Sequence, residues 1–279
     1  MLISHPAEKN APQKMLKEHL LNVGEASRFF IRKMRLNITL IEKEKLAELS
    51  YLIGILHDFG KATSYFQQYI RGNRDGDALT RHSFLSAIVA FFFFLKVGFD
   101  TVWAVIAYML IKRHHGNLET LSEYESENLI IAEKQLRNIL QNQSKLVNDL
   151  YEKNLMENLV KLDVDHFGKD LEEFEDYLDY FRDNLSDENQ EIELFFIVNL
   201  LFSVLIDSDK KDAARLDLQY FQGNLEEPVD DVFTFLEDCR QKQPNKFNLD
   251  LPLNRIRNDF LKNISENNNI HPENHFYTI

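Results

Sequence analysis

Cysteine, proline and glycine are all scarce in this chain. Cys239 is the single cysteine among 279 residues, which excludes a disulfide framework and favours a reducing, cytoplasmic location. Only nine glycines and six prolines are present, so long helices with short connections are expected. Apolar runs of signal-peptide or membrane-spanning length are also missing, because the most apolar stretch, residues 88–95, ends at Lys96. These absences predict a soluble intracellular protein.

Positive charge is in the minority, and the formal net charge is −13. This balance argues against a general nucleic-acid binder, whose affinity would come from a basic face. It is compatible with a nuclease, because bound metals add positive charge where a phosphate must sit and a partner can supply further contacts. Acids cluster at residues 171–176, and such a run is typical of a solvated helix face.

Apolar residues recur at helical spacing along almost the whole chain, and neither a repeat nor a strand set is evident. The predicted fold class is therefore all-α. A first helix is expected to open at Pro12 and a loop is expected at 71–77. One domain is predicted over residues 1–250, followed by a C-terminal helix and linker at 251–279. Further helices are predicted over 42–57, 63–70, 81–95, 101–115 and 191–211, with amphipathic helices between 125 and 180.

Histidines and aspartates lie at the predicted helix ends. The sequence His-Asp-Phe-Gly-Lys occupies residues 57–61, and His-His-Gly occupies residues 114–116. Imidazole and carboxylate together are ligands for a divalent transition metal, and a set of this size can hold two ions. Two adjacent metal ions are typical of sites that cut phosphodiester bonds. Other members of the set are His19, His82, Asp207 and Asp209.

The doublet of His57 and Asp58 can converge on metals only if its helix ends there. Adjacent side chains on an ideal helix diverge by about 100°. If Gly60 turns the chain, Asp58 is placed to bridge two ions, and Lys61 can neutralise a phosphate oxygen or orient a water. We therefore predict catalytic roles for His57, Asp58 and Lys61, with a metal-activated water as the nucleophile.

The pattern of His19, His57-Asp58 and a distal aspartate resembles the HD phosphohydrolase superfamily. Residues 57–61, Arg81-His82-Ser83 with Ser86, and residues 114–116 narrow the resemblance to the HD nuclease domain of the nuclease-helicase of type I CRISPR systems, over about residues 19–211. The resemblance implies a helical HD fold and metal-dependent cutting of single-stranded DNA in type I CRISPR interference. It implies one metal held by His19, His57, Asp58 and the distal aspartate, and a second held by His82, His114 and His115 with Asp58 shared.

The distal aspartate has two candidates, Asp207 and Asp209. Two residues apart on a helix, their side chains point about 200° apart, so both should not serve one metal. The pair Ser208-Asp209 best matches the Ala-Asp of the family, which favours Asp209 and leaves Asp207 as the alternative. A histidine-rich ligand set favours Mn, Fe, Co or Ni over Mg, which prefers oxygen ligands.

The phosphate loop Gly-x-x-x-x-Gly-Lys-Ser/Thr, which a full nuclease-helicase would need, is absent from the sequence. We therefore expect the nuclease part alone, as a stand-alone subunit or a fragment. The resemblance implies a helicase domain or subunit and an RNA-guided surveillance complex as partners. Two alternatives stay open: an HD-type nucleotide or cyclic-dinucleotide phosphohydrolase, and a non-catalytic assembly module. Basic residues predicted to line a DNA path are Arg71, Arg74, Arg81, Lys112 and Arg113.

Overall fold

Helices account for nearly all regular structure in the described part of the chain. The computed structural model describes residues 1–7, 12–118, 126–143, 176 and 188–215. The all-α prediction is confirmed, and the arrangement is consistent with an HD-like fold. The described helices are α1 Leu16–Lys33, α2 Lys43–Leu56, α3 Ser64–Tyr69, α4 Ser83–Lys96, α5 Thr101–Arg113, α6 Ser126–Asn138 and α7 Glu188–Ala213. Short turns of other helical types span Phe59–Ala62, Ala78–Thr80 and Ile139–Gln143.

A small antiparallel sheet precedes α1, which the sequence pattern did not predict. Strands β1 Ile3–His5 and β2 Lys14–Met15 pair with Ile3 opposite Met15. The expected helix start at Pro12 is wrong, because the chain stays extended until Leu16, whose amide donates to the Leu2 carbonyl at 3.0 Å. Helical periodicity cannot reveal a pairing between strands this short.

The α1 and α2 helices pack with their backbones in close contact. A Cβ atom added to Gly54 would lie 2.7 Å from the Cα atom of Gly24, so both positions need glycine for this approach. The contact brings His19 of α1 towards His57, which follows the last residue of α2. Helix packing therefore positions two of the predicted ligands.

A hairpin of α4 and α5 forms the most apolar part of the core. The four phenylalanines at residues 91–94 and Trp103 are all buried. Burying a phenylalanine side chain stabilises a fold by about 1.5–3 kcal/mol, so this hairpin contributes strongly to the stability of the core. His82 precedes its first helix and His114 follows its second.

The long helix α7 packs against α1, but only one of its faces is buried. Ile192, Phe195 and Phe196 are exposed on the opposite face. Among the described helices, none combines the length and the hydropathy needed to cross a membrane.

Two compact units divide the chain, Met1–Leu218 and Gln219–Ile279. The predicted tail at 251–279 and Cys239 lie outside the described residues, as does most of the predicted amphipathic region between 125 and 180. Within that region α6 is described.

Candidate metal centre

The end of α2 brings the side chains of His57 and Asp58 together, with His57 Nε2 3.3 Å from Asp58 Oδ2. His57 keeps helical backbone angles, whereas Asp58 leaves the helix with φ −111° and ψ 17°. The Lys61 amide then donates to the Asp58 carbonyl at 2.9 Å, which closes the following turn. His57 and Asp58 are both fully buried. Because Asp58 lies outside the helix, its side chain does not diverge from that of His57 as two adjacent helical residues would.

Gly60 fixes His82 beside this turn. A Cβ atom on Gly60 would lie 2.4 Å from the His82 carbonyl oxygen. The Gly60 amide donates to Ser86 Oγ at 2.9 Å, and that hydroxyl donates to the same His82 carbonyl at 2.9 Å. Glycine is needed here for close backbone approach rather than for a left-handed conformation.

Two imidazoles at helix ends are oriented by backbone carbonyls. His57 Nδ1 donates to the Gly54 carbonyl and His114 Nδ1 donates to the Ile111 carbonyl, each at 2.6 Å. Because a carbonyl only accepts, Nδ1 carries the proton in both rings. This tautomer leaves the Nε2 lone pair of each neutral ring free to bind a metal.

Group 1 is a buried set of four potential ligands. His19 Nε2 lies 3.1 Å from Asp58 Oδ2 and 3.2 Å from Asp209 Oδ1, and His57 Nε2 lies 3.3 Å from Asp58 Oδ2. One ligand atom from each residue lies within 4.8 Å of the others. Group 1 is formed by His19, His57, Asp58 and Asp209.

Group 2 uses the other oxygen of the same carboxylate. Asp58 Oδ1 lies 3.0 Å from His82 Nε2 and 3.4 Å from His114 Nε2. His82 Nε2 also lies 2.9 Å from His115 Nε2. His115 is exposed, so group 2 is open to solvent where group 1 is closed. Group 2 is formed by Asp58, His82, His114 and His115.

Several buried atoms at the centre of the two groups make no hydrogen bond. These atoms are His57 Nε2, Asp58 Oδ1 and His114 Nε2. A buried polar atom without a partner costs about 1–3 kcal/mol. Divalent cations would satisfy all three, and imidazole nitrogen with carboxylate oxygen is a donor set that transition metals accept. The residues therefore fit metal ions.

The electrostatics of the two groups differ. Burial lowers the pKa of His57, but the Asp58 and Asp209 carboxylates outweigh it and raise this pKa to about 9. In group 2, burial lowers the pKa of His82 to about 4, and burial with the neighbouring His114 lowers the pKa of His115 to about 3. At neutral pH, metal binding to group 1 must therefore displace protons, whereas His82 and His115 are already neutral.

Lys61 faces the group 1 side of the shared carboxylate. Its Nζ atom lies 2.6 Å from Asp58 Oδ2, and the residue is only 5% exposed. Burial would raise the pKa of Asp58, but Lys61 and His57 hold this pKa well below its usual range. Asp58 therefore stays ionised, the state in which a carboxylate can bind a metal.

The two distal aspartates point in different directions, as their spacing on α7 requires. Asp209 is buried in group 1, with Oδ1 also 3.6 Å from His57 Nε2. Asp207 Oδ2 pairs with Lys211 Nζ at 2.6 Å, and its side chain is 44% exposed. Asp207 belongs to neither group.

Internal contacts engage basic residues among the predicted DNA-contact candidates. Arg71 donates to the carbonyls of Gln67 and Met1, each at 2.8 Å. Arg74 pairs with Asp77, and Lys112 Nζ lies 5.4 Å from the centre of the Tyr108 ring. Arg81 and Arg113 lie beside the group 2 histidines in sequence, Arg81 two residues before α4 and Arg113 at the end of α5.

Two residues at the site, Asp212 and His5, were not predicted from the sequence. Asp212 Oδ2 lies 2.6 Å from His19 Nδ1, and the His5 ring centre lies 4.9 Å from that of His19. Burial, together with Lys61 and His19, lowers the pKa of His5 to about 4. The three-residue spacing from Asp209 was a usable signal for Asp212, because such residues share a helix face. His5 reaches the site through the unpredicted sheet, and no pattern in the sequence marks it.

No protein-family profile matches the chain. A 95-residue segment, 34% of the chain, is 30% identical to the CRISPR-associated nuclease/helicase Cas3 of Haloferax volcanii. That segment corresponds to 10% of the relative, so the chain matches only a small part of that protein. The similarity and the two His/Asp groups together support metal-dependent hydrolysis of phosphate esters in general.

Proposed function

We propose that this protein is a metal-dependent nuclease that cuts single-stranded DNA. The observation that carries the proposal is the sharing of Asp58: Oδ2 faces group 1 and Oδ1 faces group 2. A carboxylate between two sets of ligands is the arrangement required to hold two ions side by side on one phosphate. Partial similarity to a nuclease/helicase supports the choice of a nucleic acid over a small nucleotide.

A pair of divalent ions supplies Lewis acidity, which lowers the pKa of water towards neutrality and neutralises charge on the phosphate and its leaving oxygen. His57 and Asp58 would be among the residues that hold these ions. Lys61 keeps Asp58 ionised and places an ammonium group where a phosphate oxygen would approach. Asp209 completes group 1.

The accessibility of the two groups favours a flexible substrate. Group 1 is buried, and the exposed His115 marks the open side at group 2. A single strand can bend to bring one phosphate towards a largely buried site, whereas a duplex with a persistence length of about 150 base pairs is too stiff to do so. The net charge of −13 opposes capture of DNA from bulk solution, so we propose delivery by a helicase domain or subunit and an RNA-guided surveillance complex.

The histidine-rich ligand set suits Mn, Fe, Co or Ni better than Mg. Residues 1–250 would form the nuclease domain, and 251–279 would lead to the helicase domain or partner. In this proposal the catalytic residues are His57, Asp58 and Lys61, and the metal ligands are the members of groups 1 and 2.

Cleavage of circular single-stranded DNA tests the proposal. Circles are incubated with Mn²⁺ or with EDTA, using wild type, Asp58→Ala and the exposed loop variant Asp75→Ala as a matched control. We expect metal-dependent cutting by wild type and by Asp75→Ala, and its loss in Asp58→Ala. Circles have no ends, so cutting them also establishes endonuclease action. Turnover of nucleotides or cyclic dinucleotides without any DNA cleavage would overturn the proposal in favour of a small-nucleotide phosphohydrolase.

A further inference from the structure

We infer that Asp212 is a positioning residue that holds His19 with Nε2 directed into group 1. The inference rests on the proposed role of group 1 as a metal site. It concerns the residue that orients a ligand rather than the ligand itself, and it gives a second residue of α7, together with Lys14 of the N-terminal sheet, a supporting role at the site.

The contact between Asp212 and His19 fixes the imidazole tautomer. Asp212 is 4% exposed, and its Oδ2 atom lies 2.6 Å from His19 Nδ1. Because an ionised carboxylate only accepts hydrogen bonds, Nδ1 carries a proton. Binding of a metal must then use Nε2, the nitrogen that lies near Asp58 and Asp209.

The position of His19 within a helix explains why a side chain is needed for this task. His57 and His114 follow the last residues of their helices and donate to the carbonyl three residues earlier. His19 lies inside α1, where backbone carbonyls are engaged in the helix. Asp212 supplies the missing acceptor from α7, three residues after Asp209 and therefore on the same face. Two residues on successive turns of α7 therefore contact the two nitrogens of the His19 ring: Asp209 lies near Nε2 and Asp212 near Nδ1.

The second oxygen of Asp212 is also held in place. Oδ1 accepts from Lys14 Nζ at 2.7 Å and from Asn22 Nδ2 at 2.8 Å. Lys14 Nζ also donates to the backbone carbonyl of Asp212 at 3.2 Å. With both oxygens engaged, the carboxylate cannot rotate away from His19 without losing these contacts. Lys14 lies on β2, so the N-terminal sheet supports the metal ligand through Asp212.

The test measures Co²⁺ affinity by isothermal titration of metal-stripped protein. Asp212→Asn is compared with Asp207→Asn, the same substitution on the same helix at a residue outside both groups. In Asp212→Asn the amide oxygen is retained by the donors Lys14 and Asn22, so its NH₂ group faces His19 and disfavours the required tautomer. We expect Co²⁺ affinity to fall about 10–100-fold, as for other residues that orient metal ligands, and to change less than about 2-fold in Asp207→Asn.

A double-mutant cycle separates positioning from general stabilisation. Lys14→Met is the reference, because it keeps the contact between His19 and Asp212 and avoids a buried unpaired ammonium when Asp212 is replaced. Adding Asp212→Leu should weaken Co²⁺ binding about 10–100-fold when His19 is present and less than about 2-fold in the His19→Ala background. Circular dichroism of the metal-free proteins verifies the fold, and this cycle decides the question if Asp212→Asn alone does not fold.

Equal Co²⁺ affinity with and without Asp212→Leu would overturn the inference. An equal loss of Co²⁺ affinity on adding Asp212→Leu to the protein with His19 and to the His19→Ala variant would also overturn it. Its failure is distinguishable from failure of the proposed function. Wild type that cuts DNA while Asp212 variants bind Co²⁺ normally rejects only the positioning role. Wild type that binds Co²⁺ in an Asp212-dependent way but cuts no DNA rejects only the nuclease.

Discussion

Gly60 and His82 are in direct backbone contact, with room for a hydrogen atom but not for a methyl group. The nearest atom to a Cβ on Gly60 would be the His82 carbonyl oxygen, 2.4 Å away. Gly60 follows Asp58 by two positions, and His82 is a member of group 2. The contact therefore sets the distance between the shared carboxylate and a second-group ligand.

Gly60→Ala is expected to damage group 2 because the backbone at His82 must move. We expect the free energy of unfolding to fall by about 1–3 kcal/mol, the range for overpacking a core. The cleavage rate should fall at least about 10-fold, since a misplaced ligand weakens metal binding. Thermal unfolding and the single-strand cleavage assay measure the two effects. Gly76→Ala is the control, because its added Cβ would meet only the ring of the exposed Tyr69, at 3.3 Å; comparable losses in both variants would contradict the role of Gly60.

Asp209→Ala is expected to reduce cleavage far more than Asp207→Ala. Asp209 contributes an oxygen to group 1, whereas Asp207 pairs with Lys211 on the surface. Loss of a direct ligand should cost at least as much as the roughly 10–100-fold seen when a residue supporting a ligand is removed. An exposed ion pair contributes only about 0–1 kcal/mol, so Asp207→Ala should behave like wild type. Initial cleavage rates at saturating Mn²⁺ decide between the two residues, and a larger effect at Asp207 would reverse the assignment.

The sequence could predict the helical class and the placing of histidines at helix ends because both depend on local features, whereas the two ligand sets were implied by the family resemblance. Helix ends at His57 and His114 are marked by the residues that follow them, and the spacing of Asp207 and Asp209 separates their directions. The partners of His19 could not be predicted in the same way. Its contact with Asp212 joins residues 193 positions apart, and Lys14 reaches Asp212 across 198 positions. Such contacts depend on helix packing and strand pairing, which periodicity does not specify.

Lys61→Met is expected to separate catalysis from metal binding. Removing an ammonium 2.6 Å from Asp58 Oδ2 removes repulsion towards a cation, and a bound cation would itself keep Asp58 ionised, so Co²⁺ affinity should stay equal or rise. Cleavage should nevertheless fall on the order of 100-fold, the effect of losing one preorganised charge-stabilising group. Titration calorimetry and cleavage rates at saturating metal give the two values. Lys17→Met, an exposed lysine on α1, is the control. A parallel loss of Co²⁺ affinity and activity would assign Lys61 a structural role.

Removal of metal should abolish cleavage, and the ions that restore it should be those that bind well to histidine nitrogen. Three of the four ligands in group 2 are histidines. After treatment with EDTA and dialysis, Mn²⁺, Co²⁺ or Ni²⁺ should restore cleavage of single-stranded circles better than Mg²⁺, which prefers oxygen. Initial rates are compared at equal free ion concentration. Full restoration by Mg²⁺ alone would contradict a histidine-dominated centre.

Metal binding to group 1 should be strongly dependent on pH. Burial lowers the pKa of His19, but Asp209, Asp212 and Asp58 outweigh it and raise this pKa to about 10, while that of His57 is raised to about 9. Both values exceed the ordinary 6.5, so these charged imidazoles stabilise the metal-free fold fully below pH 6.5. That stabilisation is lost as pH rises through about 9 to 10. Metals need neutral Nε2 atoms, so their affinity increases over the same interval.

The melting temperature in EDTA should therefore fall between about pH 6.5 and 8.5, while the increase produced by Mn²⁺ should grow. Scanning fluorimetry with and without Mn²⁺ measures both trends. The carboxylates do not produce them, because the pKa values of Asp58 and Asp209 are lowered by their cationic neighbours despite burial, and both stay ionised throughout. His57→Gln should flatten the pH dependence, whereas His115→Ala should keep it, because the pKa of His115 is already about 3. A metal-induced increase that is equal at both pH values would mean that group 1 binds metal without releasing protons.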